Sequence, residues 1–297
     1  MAFPKFRIPA SEQGRILLGI GFVCIAGTMF PFMNAFSKSL GQSYPVMQVS
    51  WARFFGHVVF LAILFMPTRG WRLLVTRRPK LQLTRSVIQF VSNLSFTAGI
   101  VYQPIADAAA ISMTGPLIVA MLAWPILGEK TGALHAGAIM LGFVGVLFVI
   151  RPGGDVFHPS ALFILGSALC YALYQIFTRK VANADPPETT TFYSSFFGAI
   201  GMLFVLPFIW VTPTRWLDVV YFCSLGVLGG AGHYLIVRAL SWAPANIISP
   251  FQYFQLIGSV TVGYIMFHQL PDAMTWTGAA IIVAAGLLLG WSQTRRH

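Results

Sequence analysis

The chain has 297 residues, of which 57% are hydrophobic and only 9% are charged, and its mean hydropathy is +0.74. A soluble domain carries roughly 25% charged residues, so this composition excludes an ordinary water-exposed fold. The net charge of +11 comes from residues in short gaps between apolar runs rather than on one amphipathic face, which favours a membrane protein over a nucleic-acid-binding one.

The apolar runs along the chain are each close to the roughly 20 residues that a helix needs to cross a bilayer core of about 30 Å. Helices rather than strands are expected, because backbone groups in lipid must bond within their own segment and the runs are too long for barrel strands. We predict an all-α integral membrane protein with ten transmembrane helices, at residues 15–37, 46–66, 84–103, 105–127, 132–150, 159–178, 191–211, 216–239, 245–267 and 273–292.

Lysine and arginine residues fall unevenly between the two sides of such a bundle. If both termini and every even-numbered loop share one side, that side carries Lys5, Arg7, Arg15, Arg69, Arg72, Arg77, Arg78, Lys80, Arg85, Lys130, Arg179, Lys180, Arg238, Arg295 and Arg296. The other side carries only Lys38, Arg151 and Arg215. Because positive residues stay on the cytoplasmic side, both termini are predicted to be cytoplasmic, in a bacterial inner membrane.

The sequence also contains a weak internal repeat. Gly137 and Gly145 in the fifth predicted helix correspond, at a constant offset, to Gly278 and Gly286 in the tenth. We therefore predict two units, residues 14–150 and 158–293, with five helices each. Because five is odd, the two units enter the membrane in opposite orientations, and inverted repeats of this kind place a substrate site near the midplane between the halves.

One stretch of the first unit resembles a known domain. Residues 116–130 read PLIVAMLAWPILGEK and precede a Gly-rich helix, which resembles the EamA domain; Arg53 with Phe54 is similar to an Arg-Phe pair common in that family. The second unit departs from the pattern, because His268 and Gln269 stand where the first has Gly-Glu. The resemblance implies a ten-helix carrier of the drug/metabolite transporter superfamily that works without ATP hydrolysis, often an exporter of metabolites or amino acids, with the YddG-type aromatic amino-acid exporters as the first comparison.

Polar side chains inside the predicted helices are the candidates for a binding site. Arg53 lies about 10 Å into its helix at ~1.5 Å per residue, where a cation is costly unless it faces water, a partner or an anionic solute; snorkelling to the interface is the alternative. Aromatic and amide groups suit a planar or amphipathic solute. The alternative for each of them is a role in helix packing or in hydrogen bonds between helices. The predicted site consists of Arg53, His57, Gln89, Asn93, Tyr171, Tyr174, Gln175, His233, Tyr234, Gln252, Tyr253 and Gln255. Pro31 and Pro116 are predicted hinges, with static kinks as the alternative.

The acidic and cysteine residues argue against several kinds of chemistry. None of the eight acids lies near the centre of a predicted helix, which weighs against a carboxylate proton relay and against paired-carboxylate hydrolysis. Glu129 with Lys130 is expected to form a cytoplasmic turn pair. The three cysteines lie singly in apolar runs with no metal-ligand spacing, so we expect no metal, no cofactor and no disulfide framework.

Together these features predict a secondary transporter of small organic metabolites such as amino acids, with aromatic ones favoured, which exposes its site alternately to the two sides. A channel or a non-transporting membrane scaffold is the main alternative, although the polar faces are scattered rather than ringed; a membrane enzyme is less favoured. The lack of a carboxylate deep in any helix favours facilitated movement without obligatory proton coupling. The expected partners are the lipid bilayer and a small organic solute, with no nucleic acid, and the chain is a monomer or a homodimer.

Overall fold

The computed structural model describes residues 11–127, 133–151, 158–181, 184–242 and 249–294, and every regular element in those ranges is a helix. The α-helices are α1 Glu12–Gly41, α2 Val46–Arg69, α3 Pro79–Ile100, α4 Ile105–Ser112, α5 Gly115–Leu127, α6 Ala133–Ile150, α7 Ser160–Val181, α8 Pro187–Leu203, α9 Leu206–Ile209, α10 Trp216–Trp242, α11 Phe254–Phe267 and α12 Ala273–Thr294. Short 3-10 helices follow α2 at Gly70–Leu74 and precede α11 at Ser249–Tyr253.

Large apolar side chains cover the outside of the bundle, whereas much of its interior is polar. Ile63, Phe204 and Phe208 are 72%, 79% and 87% exposed. The buried polar side chains include Asn34, Gln48, Arg53, His57, Gln82, Arg85, Gln89, Asn93 and His233. Such a distribution suits lipid rather than water as the surrounding solvent.

Four of the described helices are long and apolar enough to cross a bilayer by length and composition, at Gln13–Gly41, Val46–Leu74, Ser160–Val181 and Trp216–Ala239. Shorter apolar helices cover Ile105–Val119, Ala136–Ile150 and Ala273–Leu288. The prediction of an all-α integral membrane protein is therefore confirmed.

Proline determines where two of the predicted helices break. The predicted helix at 105–127 is divided between α4 and α5. The backbone nitrogen of Pro116 has no hydrogen to donate to the carbonyl of Ser112, and the proline ring crowds that carbonyl. The predicted helix at 191–211 likewise ends at Leu203, four residues before Pro207, and resumes as the short α9. Pro31, by contrast, lies within the continuous α1.

The third helix begins at Pro79 rather than at residue 84, and this shift changes the environment of Arg85. Proline at the first turn of a helix needs no N–H partner and is preset for helical φ. Arg85, expected in the first turn of a helix that starts at residue 84 on the cytoplasmic side, therefore lies nearly two turns inside α3, where it is 0% exposed.

Helices from the first half of the chain (up to residue 150) pack mainly on helices from the second half. The most extensive contacts are those of α1 with α10, of α3 with α7 and of α6 with α12, followed by those of α2 with α10 and α8. By order along the chain, α1, α2 and α3 correspond to α7, α8 and α10. With this exchange, the α1–α10 contact corresponds to the α7–α3 contact, and the α2–α10 contact corresponds to the α8–α3 contact. This is the packing pattern that a two-fold relation between the halves would produce.

Glycines allow two of these pairs to approach very closely. A Cβ on Gly56 of α2 would lie 2.5 Å from the Cα of Gly226 in α10, and a Cβ on Gly145 of α6 would lie 2.8 Å from the carbonyl oxygen of Gly278 in α12. Small residues at such crossings let helix backbones pack directly in a membrane.

The two ends of the bundle are closed by different polar contacts. At the end where the described chain starts and finishes, called here the termini end, the loop after α2 is tied to α8, since Tyr193 Oη donates to the carbonyl of Leu74 at 2.6 Å. At the opposite end, Gln48 bonds the backbone of Val211 at 2.7 and 2.9 Å, and Tyr44 Oη donates to Asp218 at 2.8 Å.

Candidate functional site

A cavity of about 120 Å³ lies where helices from both halves of the chain meet. By this measure one water needs ~10–15 Å³, so the cavity has room for about ten. Its polar lining consists of Asn34, Arg53, Gln89, Ser92, Asn93, Ser112, Ser167, Tyr171, Gln175, His233, Gln252 and Gln255. Its apolar lining includes Val23, Phe30, Met33, Phe96, Met113, Pro116 and Ile236.

Interrupted helices form part of the cavity wall. The break between α4 and α5 contributes Met113 and Pro116, and the junction of the 3-10 helix with α11 contributes Gln252 and Gln255. Transporters commonly place a solute where helices of the two halves are discontinuous, because irregular backbone is tolerated in a membrane only where protein or water surrounds it.

Arg53 is the charged group of the cavity, and it is only 7% exposed. With its amide oxygen turned toward the guanidinium, Asn93 accepts from Nη1 at 2.8 Å and from Nε at 3.2 Å. His233 Nε2 lies 3.2 Å from Nη2. Because a guanidinium only donates, this contact makes Nε2 an acceptor and leaves His233 neutral, with its proton on Nδ1.

The partners of Arg53 are thus neutral, and among the described residues no carboxylate forms an ion pair with it. A buried cation without a counter-ion is costly in a membrane. The site is therefore suited to an anionic group, and a carboxylate matches the planar donor fork of arginine.

Aromatic rings and amides surround this cation. Tyr171 stacks on Tyr174 with ring centroids 5.7 Å apart, and Phe30 lies 5.2 Å from the ring of His233. Gln89 Oε1 and Gln175 Nε2 are buried without a hydrogen-bond partner among the described residues. The cavity therefore offers flat apolar faces together with free amide groups, which suits an amphipathic planar molecule.

A much smaller second cavity, of about 10 Å³, adjoins the first on the side of the termini end. Arg53, Gln89 and His233 line both cavities and so form the wall between them. The remaining lining is mostly polar and consists of Phe54, His57, Tyr174, Thr191, Ser194 and Ser195. This cavity has room for about one water molecule.

His57 is held in the second cavity by a glycine. A Cβ on Gly229 of α10 would collide with Nε2 of His57, so only glycine leaves space for the ring. Nδ1 of His57 lies 3.4 Å from Ser195 Oγ, while Nε2 has no partner among the described residues.

Comparison with known proteins identifies the family. The model of the EamA-like transporter family matches this chain twice, over residues 17–151 and 158–291. The chain belongs to the EamA-like transporter family. The resemblance seen at residues 116–130 is thereby confirmed at the level of the family.

Three curated relatives of this EamA-like chain have named solutes. The S-adenosylmethionine uptake transporter of Rickettsia bellii (strain RML369-C) is 28% identical over 278 residues, covering 94% of this chain and 95% of the relative. The riboflavin transporter of Rhizobium johnstonii (strain DSM 114642 / LMG 32736 / 3841) is 27% identical and covers 97% and 96%. The pseudopaline exporter of Pseudomonas aeruginosa (strain UCBPP-PA14) is 23% identical and covers 94% and 97%.

A solved crystal structure supports the same fold. It matches this chain with a TM-score of 0.65 at 17% identity, over 97% of this chain and 100% of the other. The family and the curated relatives together identify the EamA-like chain as an integral membrane transporter of small metabolites rather than an enzyme. The named solutes and directions differ among the relatives, so the family establishes no narrower activity.

The structure of the EamA-like transporter brings most of the candidate residues together. The central cavity is lined by Arg53, Gln89, Asn93, Tyr171, Gln175, His233, Gln252 and Gln255, and by Pro116. His57 and Tyr174 line the second cavity. Their role in binding a solute stays a prediction.

Three candidates lie outside both cavities. Tyr234 follows His233 on α10 and so points about 100° away, toward Phe65 and, at 3.5 Å from Oη, Glu188. Tyr253 is buried against Gly286. Pro31 packs closely on Gly258, since a Cβ added to that glycine would lie 2.8 Å from the proline ring. The turn pair Glu129 and Lys130 lies outside the described residues.

Sequence reasoning missed several lining residues. Asn34, 4% exposed, is an amide within the apolar α1, and the same argument that selected Gln89 and Asn93 would have found it. Phe30, Met33, Phe96 and Met113 carried no such signal, because apolar residues on membrane helices face lipid, protein and cavities alike.

Proposed function

We propose that this EamA-like transporter carries an amphipathic metabolite that bears a carboxylate and a planar apolar part, with amino acids and their aromatic derivatives as the leading class. Arg53 binds the carboxylate, Asn93 and His233 hold its guanidinium in place, and the rings of Phe30 and Tyr171 face the planar part. The buried guanidinium with only neutral partners is the observation that carries this proposal.

The named solute of one relative fits this class, and that of another fits only its planar part. S-adenosylmethionine combines an amino-acid group with a planar base, whereas riboflavin contains a planar ring system but no carboxylate. The central cavity, equivalent to about ten waters at ~10–15 Å³ each, matches the size of a single amino acid better than that of these two larger solutes.

Transport is proposed to occur by alternating access between two inverted five-helix units, residues 14–150 and 158–293. The matched packing pairs across the halves support this arrangement, as does the double match to the family model. Rocking of one unit against the other would expose the central cavity first at one end and then at the other.

We also propose an orientation of the protein in the membrane and a driving force for transport. The excess of lysine and arginine at the termini end, where Arg69, Arg72, Arg77, Arg78 and Lys80 are exposed, supports a cytoplasmic location for both termini. No acidic side chain lines either cavity among the described residues, which supports facilitated movement rather than obligatory proton coupling.

The test is flux of a metabolite panel into liposomes that contain the purified protein. We expect saturable uptake of aromatic solutes that bear a carboxylate. Phenylalanine and phenylalaninamide form a matched pair, and we expect the acid to be transported in preference to the amide. Arg53→Gln should reduce that preference by about tenfold or more, since a charge-assisted contact is lost, whereas Arg215→Gln at an exposed position should not.

Three results would contradict the proposal. Ionic conductance without saturable solute flux would indicate a channel. Equal transport of the acid and the amide would remove the role of Arg53. Uphill accumulation driven by an imposed pH gradient, and lost in His57→Ala or His233→Ala, would refute the facilitated mechanism.

A further inference from the structure

A second buried arginine lies toward the termini end, beyond the second cavity. Arg85 of α3 is 0% exposed. It donates from Nε to Gln82 Oε1 at 3.2 Å, from Nη1 to Thr178 Oγ1 at 3.0 Å, and from Nη2 to Ser194 Oγ at 2.7 Å. Nη2 also donates to the backbone carbonyl of Thr190. The guanidinium is thus bound by neutral oxygens of α3, α7 and α8.

Arg85 is not paired directly with an acid. Among the described residues no carboxylate forms an ion pair with it, and Asp185 reaches it only through Gln82, whose Nε2 donates to Asp185 Oδ2 at 2.9 Å. A buried cation that lacks a direct counter-ion is expensive to keep in a membrane interior.

Helix fixation alone does not require such a cation. On the same seam between α3 and α7, Ser92 Oγ donates to the carbonyl of Ser167 at 2.9 Å, and Ser167 Oγ donates to the carbonyl of Ser92 at 2.8 Å. These two neutral bonds join the helices without burying a charge. The presence of arginine about two turns before Ser92 on α3 therefore indicates a role beyond holding α3 to α7.

The second cavity lies between the two arginines. Its wall includes Arg53 on one side and, on the other, Ser194, which Arg85 binds, and Tyr174, whose ring lies 4.9 Å from the Arg85 guanidinium carbon. His57 Nε2 and Gln89 Oε1 are buried at this cavity with no partner among the described residues. A water molecule or a polar group of a solute that entered this space would find these unpaired groups on its wall.

We propose that Arg85 is a second anion-binding position on the solute path, between the Arg53 cavity and the termini end. The four oxygens around Arg85 keep that path closed in the conformation seen here, and a solute carboxylate displaces some of them as it passes from Arg53 to Arg85. The inference rests on the proposed function, because it takes the Arg53 cavity to be the solute site.

The test measures the charge selectivity of the path without using the solute. In a chain whose three cysteines are replaced by serine, Ser195→Cys places one thiol on the wall of the second cavity. Oriented membrane vesicles are treated from the face that carries the termini with an anionic reagent, 2-sulfonatoethyl methanethiosulfonate, or a cationic one, 2-(trimethylammonium)ethyl methanethiosulfonate. For each variant, the labelling rate with the anionic reagent is divided by the rate with the cationic reagent. This ratio is then normalised to that of a Thr84→Cys variant, whose thiol lies at an exposed position of α3 beside Arg85.

We expect the anionic reagent to be favoured at residue 195, and Arg85→Gln to lower that normalised ratio by about tenfold, because one nearby charge is removed. Arg85→Lys should retain most of the preference. An unchanged ratio in Arg85→Gln would overturn the proposal, and so would the absence of labelling at residue 195 by either reagent while the Thr84→Cys variant reacts.

A second variant covers a failure of Arg85→Gln to fold. Thr178→Val combined with Ser194→Ala keeps the arginine but removes two oxygens that hold the path closed, and we expect labelling at residue 195 to become faster with the anionic preference intact. Unchanged or slower labelling would contradict the proposal. Loss of the acid preference in the Arg53→Gln flux assay is independent of these ratios, so failure of the proposed function is distinguishable from failure of this inference.

Discussion

The two ends of the transporter are held by polar contacts of different kinds. At the termini end, the buried Arg85 and Asp185 each make several hydrogen bonds to groups of other helices and loops. At the opposite end, Lys38 donates to the carbonyl of Gln103, Gln48 bonds the backbone of Val211, Tyr44 donates to Asp218, and Arg151 pairs with Asp272, whose side chain is 54% exposed. These are separate contacts of one or two hydrogen bonds each, rather than one connected network. A branched, dehydrated network resists separation more than a single bond or an exposed ion pair does. We therefore expect the opposite end to open at lower free-energy cost than the termini end.

The largest effect is expected for Arg85→Ala. The substitution leaves buried acceptors on three helices without a donor, and we expect the free energy of unfolding in detergent to fall by about 3–5 kcal/mol. Denaturant titration measures the loss, with Arg72→Ala, an exposed arginine in the 3-10 helix after α2, as the control. Equal stability of the two variants would mean that Arg85 contributes little to closing this end.

Asp185→Asn should have the next largest effect. Burial raises the pKa of Asp185, but hydrogen bonds from the backbone N–H of Arg77 and from Thr76 and Gln82 outweigh it and hold the pKa below its ordinary value. Asparagine replaces an acceptor with a donor, which we expect to cost about 2–3 kcal/mol at pH 7.

The same carboxylate predicts a pH dependence. Because its folded-state pKa lies below the unfolded value near ~4, Asp185 stabilises the fold at neutral pH. That contribution decreases as the pH falls below about 4 and is lost once the pH passes through the lower folded-state pKa. The stability difference between wild type and Asp185→Asn should therefore shrink on acidification, and a difference that stays constant to pH 3 would contradict this account.

Lys38→Met tests the opposite end. Lys38 is 4% exposed, and its Nζ lies 5.5 Å from the ring centroid of Phe267. Methionine fills the space of the side-chain stem but leaves the Gln103 carbonyl without its donor, for an expected loss of about 1–2 kcal/mol. The exposed Lys80→Met is the matched control, and a loss as large as that of Arg85→Ala would remove the difference between the ends.

Asp272→Asn should have the smallest effect. Hydrogen bonds from Arg151 lower the pKa of Asp272 to about 2, with help from the Thr275 backbone N–H, yet the carboxylate is 54% exposed and therefore in contact with solvent. Asparagine can still cap α12, as Asp272 does by accepting from Thr275 N–H at 2.8 Å. We expect a loss of about 1 kcal/mol or less, which raised salt should abolish. A larger, salt-insensitive loss would show that this end is held as firmly as the other.

Much of the fold followed from the sequence because lipid imposes simple rules. Runs of about 20 apolar residues identified the helices, and polar residues within them identified much of the cavity wall, as with Arg53, Asn93 and His233. Arg53 and His57 are four residues apart and so share one face of α2, and both line the second cavity.

The remaining features depended on contacts that a single sequence does not encode locally. Arg85 was expected at the cytoplasmic end of a helix, because hydropathy alone does not show that Gln82, Thr178, Thr190 and Ser194 surround it in the interior. Tyr234, predicted to be a site residue, follows His233 directly in the sequence, and helix geometry therefore directs it to a different neighbour, Phe65. Met113 lines the cavity only because Pro116 breaks the helix beside it.

The cross-half packing of α3 has a consequence during biosynthesis. α3 is not among the four long apolar helices, and its polar partners come much later in the chain: Thr178 follows Arg85 by 93 residues and Ser194 follows it by 109. At ~5–20 residues per second, a ribosome needs roughly 5 to 20 seconds to deliver them. During that interval the guanidinium of Arg85 has none of its native acceptors beyond α3 itself, so the nascent chain must shelter α3 in the insertion machinery or at the membrane surface until α7 and α8 emerge.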